Sequence, residues 1–456
     1  MIRRDWIHGM AALVMLAGTC AAPGQAQDRK LMGLDFADQE RFIAIRNGKP
    51  PGGDAEKAKN EEVVRKMAHV QVNRLVDAAN TASGSGDNNA ITDVVRKLDD
   101  SIVDPIKWTK INERQAEFIA TFGKELTPEL LKLIGTSAKP SSAEMLLKVN
   151  ATRMLSILGR SGYEGVASGA AEILNDSKQS DAVKLYAIQA IKNVFAVPAP
   201  DHPEKSVISK PEQETAAILA LVDFIARKPD LSPTASREEV DAIRYVRREA
   251  IRALGHVRKS IVRDPSNNAK VIVDPALWLL RVANSDRELV PSPSLSERVE
   301  GVIGYLMLIP DTEENMDFAA GFVATAMRDI AQEYKDRKLL EKPKADDKSP
   351  PAHIPEERDY LPWKLVANRL SLAFREWRYN WETYVPVAKR SAQWQEMVRT
   401  VATAADEDIL RYMMVGNQTE SVDTNRLRIF LQSMTNVPNL LFNEDKNSFI
   451  TRPDAR

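Results

Sequence analysis

Residues 245–257 read YVRREAIRALGHV. Val246, Ala250, Ala253, Leu254 and Val257 recur at helical steps and make one apolar face, with Arg247, Arg248 and Arg252 on the other side. Alanine at the centre of that face lets a neighbouring helix approach closely, and Gly255 stands where the turn can close. Such a helix cannot bury its face alone, so the chain must pack helix against helix. Residues 149–159 (VNATRMLSILG) have a similar shape. So do residues 183–194 (VKLYAIQAIKNV), where Ala187 and Ala190 stand as Ala250 and Ala253 do. A looser version, VEGVIGYLML at 299–308, follows Glu297 and Arg298. Composition agrees: the 456 residues include only 20 glycines against 25 prolines, with 6% aromatics. The fold class predicted is all-α.

The pattern of residues 246–255, VRREAIRALG, resembles the second helix of HEAT-type (armadillo-like) repeats. The resemblance spans residues 125–309 at most, and only 246–255 match the pattern well. The copies are spaced about 33, 63 and 50 residues against a family period of about 40. The excess coincides with proline-rich stretches at 198–211, 229–233, 264–274 and 291–293. The resemblance therefore implies an irregular helical-repeat solenoid, made of degenerate helix pairs with insertions. A non-repetitive bundle containing one Ala-rich helix is the alternative. A HEAT-like fold implies a non-catalytic scaffold that binds another protein across an extended helical surface.

The chain opens with an export pattern. Arg3 and Arg4 precede a short apolar run, MAALVMLAG at 10–18, and small Gly24 and Ala26 follow. The run is about half of the 18 or more residues a spanning helix needs. Residues 1–26 therefore read as a secretory signal cleaved after Ala26. The paired arginines ahead of Trp6 and Ile7 resemble a twin-arginine signal. Ile2 stands where that signal carries a polar residue, so ordinary Sec export remains open beside it. LAGTC resembles a lipoprotein box with the leucine one position too far from Cys20, which makes a lipid anchor at Cys20 the lesser expectation. Cys20 is the only cysteine, so a chain cut after Ala26 has no disulfide, thiolate metal site or cysteine nucleophile. No later stretch is long and apolar enough to span a bilayer; the best, 216–226, contains Asp223. The protein is expected in the periplasm, the cell envelope or the medium.

Further along, residues 27–60 read as an N-terminal segment and linker, and 61–340 as the helical-repeat domain. Within the latter, 61–82 carry a clear helical stripe (Val64, Met67, Ala68, Val72, Leu75, Val76, Ala79) that TASGSGDNN ends. Helical pattern continues at 90–103 and 112–122, and Thr127-Pro128-Glu129 reads as a helix start. Residues 341–359 (EKPKADDKSPPAHIPEERD) are a linker or long loop. A Trp-rich C-terminal helical region occupies 360–442, holding Trp363, Trp377, Trp381 and Trp394 of the seven tryptophans. Residues 443–456 are a flexible tail.

Chemistry-bearing patterns are sparse. With 63 Lys+Arg against 64 Asp+Glu, the balance argues against nucleic acid as partner. His69, His202, His256 and His353 are scattered, with no zinc spacing. His256 follows Gly255 at a helix end, where the dipole favours a cation. GSGDNN at 84–89 lacks the lysine and setting of a phosphate loop. Ser161 in LGRSGYEG departs from a nucleophile elbow, and AADEDI at 404–409 lacks calcium-loop spacing. No catalytic residue, metal or cofactor is implied.

Two clusters carry the binding expectation. Phe374, Trp377, Trp381 and Tyr384 fall on one side of a helix flanked by Arg375 and Arg378; exposed, they suit a partner's anchor or a sugar, and buried, they are core. Arg244, Arg247, Arg248, Arg252 and Arg258 form a basic stripe, or pair with Glu238, Glu239 or acids of a neighbouring repeat. Candidate partner-binding residues are thus Arg244, Arg247, Arg248, Trp377, Trp381 and Arg378, and the expected partner is a protein of the cell envelope. The alternative is a carbohydrate-active or carbohydrate-binding helical protein, which needs Trp377 or Trp381 beside acids in a cleft.

Overall fold

The computed structural model describes residues 34–86, 88–103, 113–135, 140–199, 202–232, 234–264, 266–311, 316–336, 363–387 and 399–411, with short pieces at 425–426, 428–429, 440–443 and 448–451. The signal at 1–26 with Cys20, the 341–359 linker, His353 and Trp394 lie outside the described residues. The protein is all-α. Among the described residues its only strands form three two-stranded antiparallel hairpins. None of the described helices is long and apolar enough to cross a membrane.

The chain divides into two compact units. The first comprises Met1–Gly169 and Asp176–Ala190. Helix α1 (Phe36–Arg46) starts at Asp35, whose side chain accepts from the Asp38 amide. Helix α2 (Asp54–Ser85) buries the predicted stripe, Val64, Met67, Ala68, Val72, Leu75 and Ala79 among it. It begins seven residues before the expected start at residue 61, because AEKAK within this stretch is made of good helix formers with nothing to bury. Gly86, at φ 73°, closes it in the left-handed conformation that side chains disfavour.

Helix α3 (Asn89–Leu98) runs into a π-turn at Asp99–Val103. Helix α4 (Glu113–Ile134) corrects the reading of Pro128 as a start, since this proline lies inside the helix. Interior proline costs about 3 kcal/mol. Burial of Phe118, Ile119, Phe122, Leu126, Leu130 and Ile134 along one face outweighs it. The rings of Phe42, Phe118 and Phe122 meet at centroid distances of 5.4–6.1 Å. Helix α5 (Ser142–Gly159) packs on α2 and α4. The division between the units falls inside α6 (Gly165–Asn175) and α7 (Asp181–Ala196).

The second unit comprises Ala170–Asn175 and Ile191–Arg456. Two of the proline-rich insertions are hairpins: β1 (Pro198–Ala199) with β2 (His202–Ser206), and β3 (Val262–Asp264) with β4 (Asn267–Val273). Pro211 and Pro275 sit in the first turns of α8 (Pro211–Ala226) and α10 (Pro275–Ala283), where a missing N–H costs nothing. Helix α9 (Arg237–Leu254) packs on α8, and α11 (Leu295–Met307) on α10. α9 and α11 also pack side by side. Helix α12 (Met316–Asp336) contacts α10 and α11, and α13 (Trp363–Tyr384) lies against α11. A π-helix at Ala404–Leu410 packs on α13. Strands β5 (Leu440–Asn443) and β6 (Ser448–Thr451) pair across what the sequence reads as the start of a flexible tail. LLFN and SFIT are β-compatible runs separated in the sequence by the polar residues EDKN.

α11 is the centre of this unit, and every residue from Leu295 to Leu306 is buried. Gly255 does not act as a left-handed cap; its φ is −65°. Its role is spatial: a Cβ there would stand 2.7 Å from the Cα of Gly304. The two glycines let α9 and α11 meet backbone to backbone. α13 likewise belongs to the same compact unit as α8–α12. Asn380 on α13 donates to the carbonyls of Met307 and Leu308, which the end of α11 leaves without helical partners.

Candidate functional site

The basic face of α9 is built on a firm helix start. Ser236 accepts from the Glu239 amide, and Glu239 accepts from the Ser236 amide, a reciprocal cap. The same Ser-x-x-Glu device opens α5 at Ser141/Glu144 and α11 at Ser294/Glu297. From α9 the arginines point towards α11 and its preceding loop. Arg247 Nε donates to Glu297 Oε1 at 2.6 Å, and its Nη2 to the Pro291 carbonyl at 2.8 Å. Arg244 donates twice to the Ser292 carbonyl, at 3.2 and 3.0 Å. Arg248 donates to Ser296 Oγ at 3.3 Å, with its guanidinium 5.2 Å from the Tyr245 ring centroid.

One turn on, Arg252 joins Glu249 and Glu300, the latter at 2.6 Å. Glu300 is also gripped by both terminal nitrogens of Arg369 from α13, at 2.6 Å each. Lys192 reaches Glu249 at 3.4 Å. This chain of charges ties α7, α9, α11 and α13 together in one unit. Burial pushes the Glu300 carboxyl up, but hydrogen bonds from Arg369 and Arg252 outweigh it and hold the pKa below the ordinary value. Burial also works against the Arg252 cation, and its bonds to Glu300 and Glu249 more than restore it. Arg248 has less compensation: burial, and then the neighbouring Arg252 charge, lower its pKa.

The six residues singled out in the sequence therefore do different work. Arg247 and Arg248 are buried and Arg244 is three-quarters enclosed or more, so they form no open basic stripe. The pairing with a neighbouring helix's acids is what the structure contains. Trp377 and Trp381 are 1% and 7% exposed. Trp377 packs beside Tyr305 and Phe374, at centroid distances of 6.3 and 6.2 Å, so the aromatic side is core. Only Arg378 is fully on the surface, in an i,i+4 pair with Glu382 at 2.8 Å.

His256 does cap the end of α9, with Nδ1 2.8 Å from the Arg252 carbonyl. Burial lowers its pKa, and Lys192 and Arg258 add to the shift, so the imidazole is neutral where a cation was expected. Ser161 is buried and donates to the Leu158 carbonyl at 2.7 Å. Among the described residues, no group of three or more His, Cys, Asp or Glu is arranged to hold a metal. A cavity of about 40 Å³ in the first unit lies between Ile45, Lys57, Glu117 and Phe118; it has room for a few waters.

Sequence reasoning missed Glu297, Glu300 and Arg369, which organise the second unit. The signal was present as two carboxylates, Glu297 and Glu300, in a helix whose remaining residues apart from Ser296 and Arg298 are apolar or small, and carboxylates must find cations when such a helix is buried. It also missed the other side of α13, where Leu365, Leu372 and Tyr379 are exposed at seven-residue intervals. No family model and no curated protein matches this chain.

Proposed function

We propose that this protein is an exported, non-catalytic scaffold of degenerate HEAT-like type, which binds another protein of the cell envelope through its helical surface. The supporting observation is the order of helix neighbours in the second unit. α8 packs on α9 and α10 on α11, while α9, α11 and α13 neighbour one another in turn and α10 contacts both α8 and α12. Successive helix pairs laid in two layers have that order. In this reading the charged residues of α9, α11 and α13 tie together the helices of one layer, and the Trp-rich α13 extends that layer beyond α11. The complete burial of α11 makes the stack short and closed. Residues 1–26 direct export, by either route.

The carbohydrate reading needed Trp377 or Trp381 as an exposed platform, and their burial takes that support away. Affinity capture of the tagged protein from its native envelope fraction tests the proposal. One reproducible, near-stoichiometric protein partner is the expected result. Retention on polysaccharide with no protein partner would overturn it.

A further inference from the structure

We propose that the outer face of α13 pairs with the same face of a second copy of this chain, antiparallel, about a two-fold axis at Leu372. This goes beyond the scaffold reading and stands without it. α13 has two apolar faces. The inner one, with Val366, Leu370, Phe374, Trp377 and Trp381, is buried. The outer one carries Leu365, Leu372 and Tyr379, which are 48%, 55% and 57% exposed. A seven-residue interval is two helical turns, so these three side chains form a nearly straight apolar seam on the side of the helix opposite the buried face. Tyr379 is steadied by an edge-on contact with Tyr384, 6.5 Å between centroids.

The charges beside the seam fit a second copy. On one flank lie Arg369 and Glu376, three residues before and four after Leu372; on the other lie Asn368 and Arg375, four before and three after. Two antiparallel helices related by a two-fold axis bring like flanks together and reverse the heights. With Leu372 against Leu372 at the axis, Leu365 meets Tyr379 of the second copy at each end. Glu376 then comes level with Arg369 of the second copy, and Arg375 with Asn368. The side chains of Glu376 and Arg375 are exposed, and among the described residues neither makes a hydrogen bond or ion pair. Arg369, although bound to Glu300, keeps 30% of its side chain exposed. Opposite charges thus meet on one flank and a polar amide meets the cation on the other, with no like-charged pair.

From Leu365 to Tyr379 the seam is ~21 Å long, which puts the contact at the small end of specific interfaces. The dimer is therefore expected at roughly 10–100 µM protein. The test uses the full chain with Cys20→Ser, so that any introduced thiol is the only one. Leu372→Cys, at the axis, should form a disulfide-linked dimer under mild oxidation. Asn368→Cys, which lies about eight residues or ~12 Å from its own symmetry mate, should not. Sedimentation equilibrium of the otherwise unaltered protein should show a monomer–dimer equilibrium that Leu372→Asp abolishes, with unchanged circular dichroism. A monomer at every concentration to 100 µM or so, or equal crosslinking of both cysteine variants, would overturn the proposal.

Discussion

Glu300→Ala tests whether the charges between α9, α11 and α13 hold the second unit together. The carboxylate is 1% exposed and carries three short bonds from two guanidinium groups. Removing it strands both cations. Breaking a buried ion pair from one side costs about 3–5 kcal/mol. Arg252 and Arg369 keep 26% and 30% of their side chains exposed, so each can recover some hydration, and Arg252 retains Glu249. The low end, ~3 kcal/mol, is the appropriate figure. For a cooperative unit of this size that corresponds to a fall of roughly 6–12 °C in Tm, read by far-UV circular dichroism or calorimetry at pH 7.

The pH dependence sharpens the test. Because Glu300 is held below its ordinary value of 4.5, the unfolded chain takes up this proton first as pH falls. The stabilisation is complete well above pH 4.5 and is lost as pH drops through the folded-state value. The Tm gap between the protein and Glu300→Gln should therefore be wide at pH 7 and narrow in acid. A Glu300→Ala variant within about 2 °C of the parent, or a gap to Glu300→Gln that does not change with pH, would refute the reasoning.

Gly255→Ala should lower the urea midpoint by the equivalent of about 1–3 kcal/mol, since the new methyl meets the Gly304 backbone; an unchanged midpoint would mean the helices are not so close. His256, neutral and buried, should titrate below 6.5 in an NMR pH series. Because its folded-state pKa is depressed, stability should fall as pH drops from about 6.5 towards that lower value, and His256→Gln should remove this component. Trp377→Ala should cost about 3–5 kcal/mol, whereas Tyr379→Ala, on the opposite side of α13, should change monomer stability by less than about 0.5 kcal/mol.

Where the sequence read well, the signal was local. The stripe of α2 from Val64 to Ala79, except half-buried Val76, and the alanine face of α9 from Val246 to Leu254 are buried as their periodicity requires. The misreadings share a cause: a residue's local meaning was overruled by something distant. Pro128 stops a free helix, but the phenylalanine and leucine face around it is packed from several sides. Gly255 reads as a terminator, and its use depends on Gly304, on another helix. VRD and NNAKVIV could have been read as a hairpin from their β-branched residues and the Pro-Ser dipeptide between them in the sequence. The arginines of α9 lie on the polar side of an isolated helix, which normally means solvent. The acids that draw Arg247 and Arg252 inward come from α11, about 50 positions on, and no periodicity within α9 reports them.

α13 shows the limit of that reasoning most clearly. Its sequence supports two apolar stripes, one through Phe374, Trp377 and Trp381 and one through Leu365, Leu372 and Tyr379. Helical period gives both and ranks neither. What decides is the partner surface. α11 offers Tyr305 to the Trp377 ring, Glu300 to Arg369 and two unpaired carbonyls to Asn380. Arg369 and Asn380 stand eleven positions apart, three helical turns, on the side of α13 that also carries Trp377. Turning the other stripe inward would leave Glu300 with Arg252 alone, leave the end of α11 uncapped and expose two tryptophans. Three polar contacts and one aromatic contact thus fix the rotation of a helix whose hydrophobicity alone leaves it free to turn, and the second apolar stripe is left facing outward as a consequence.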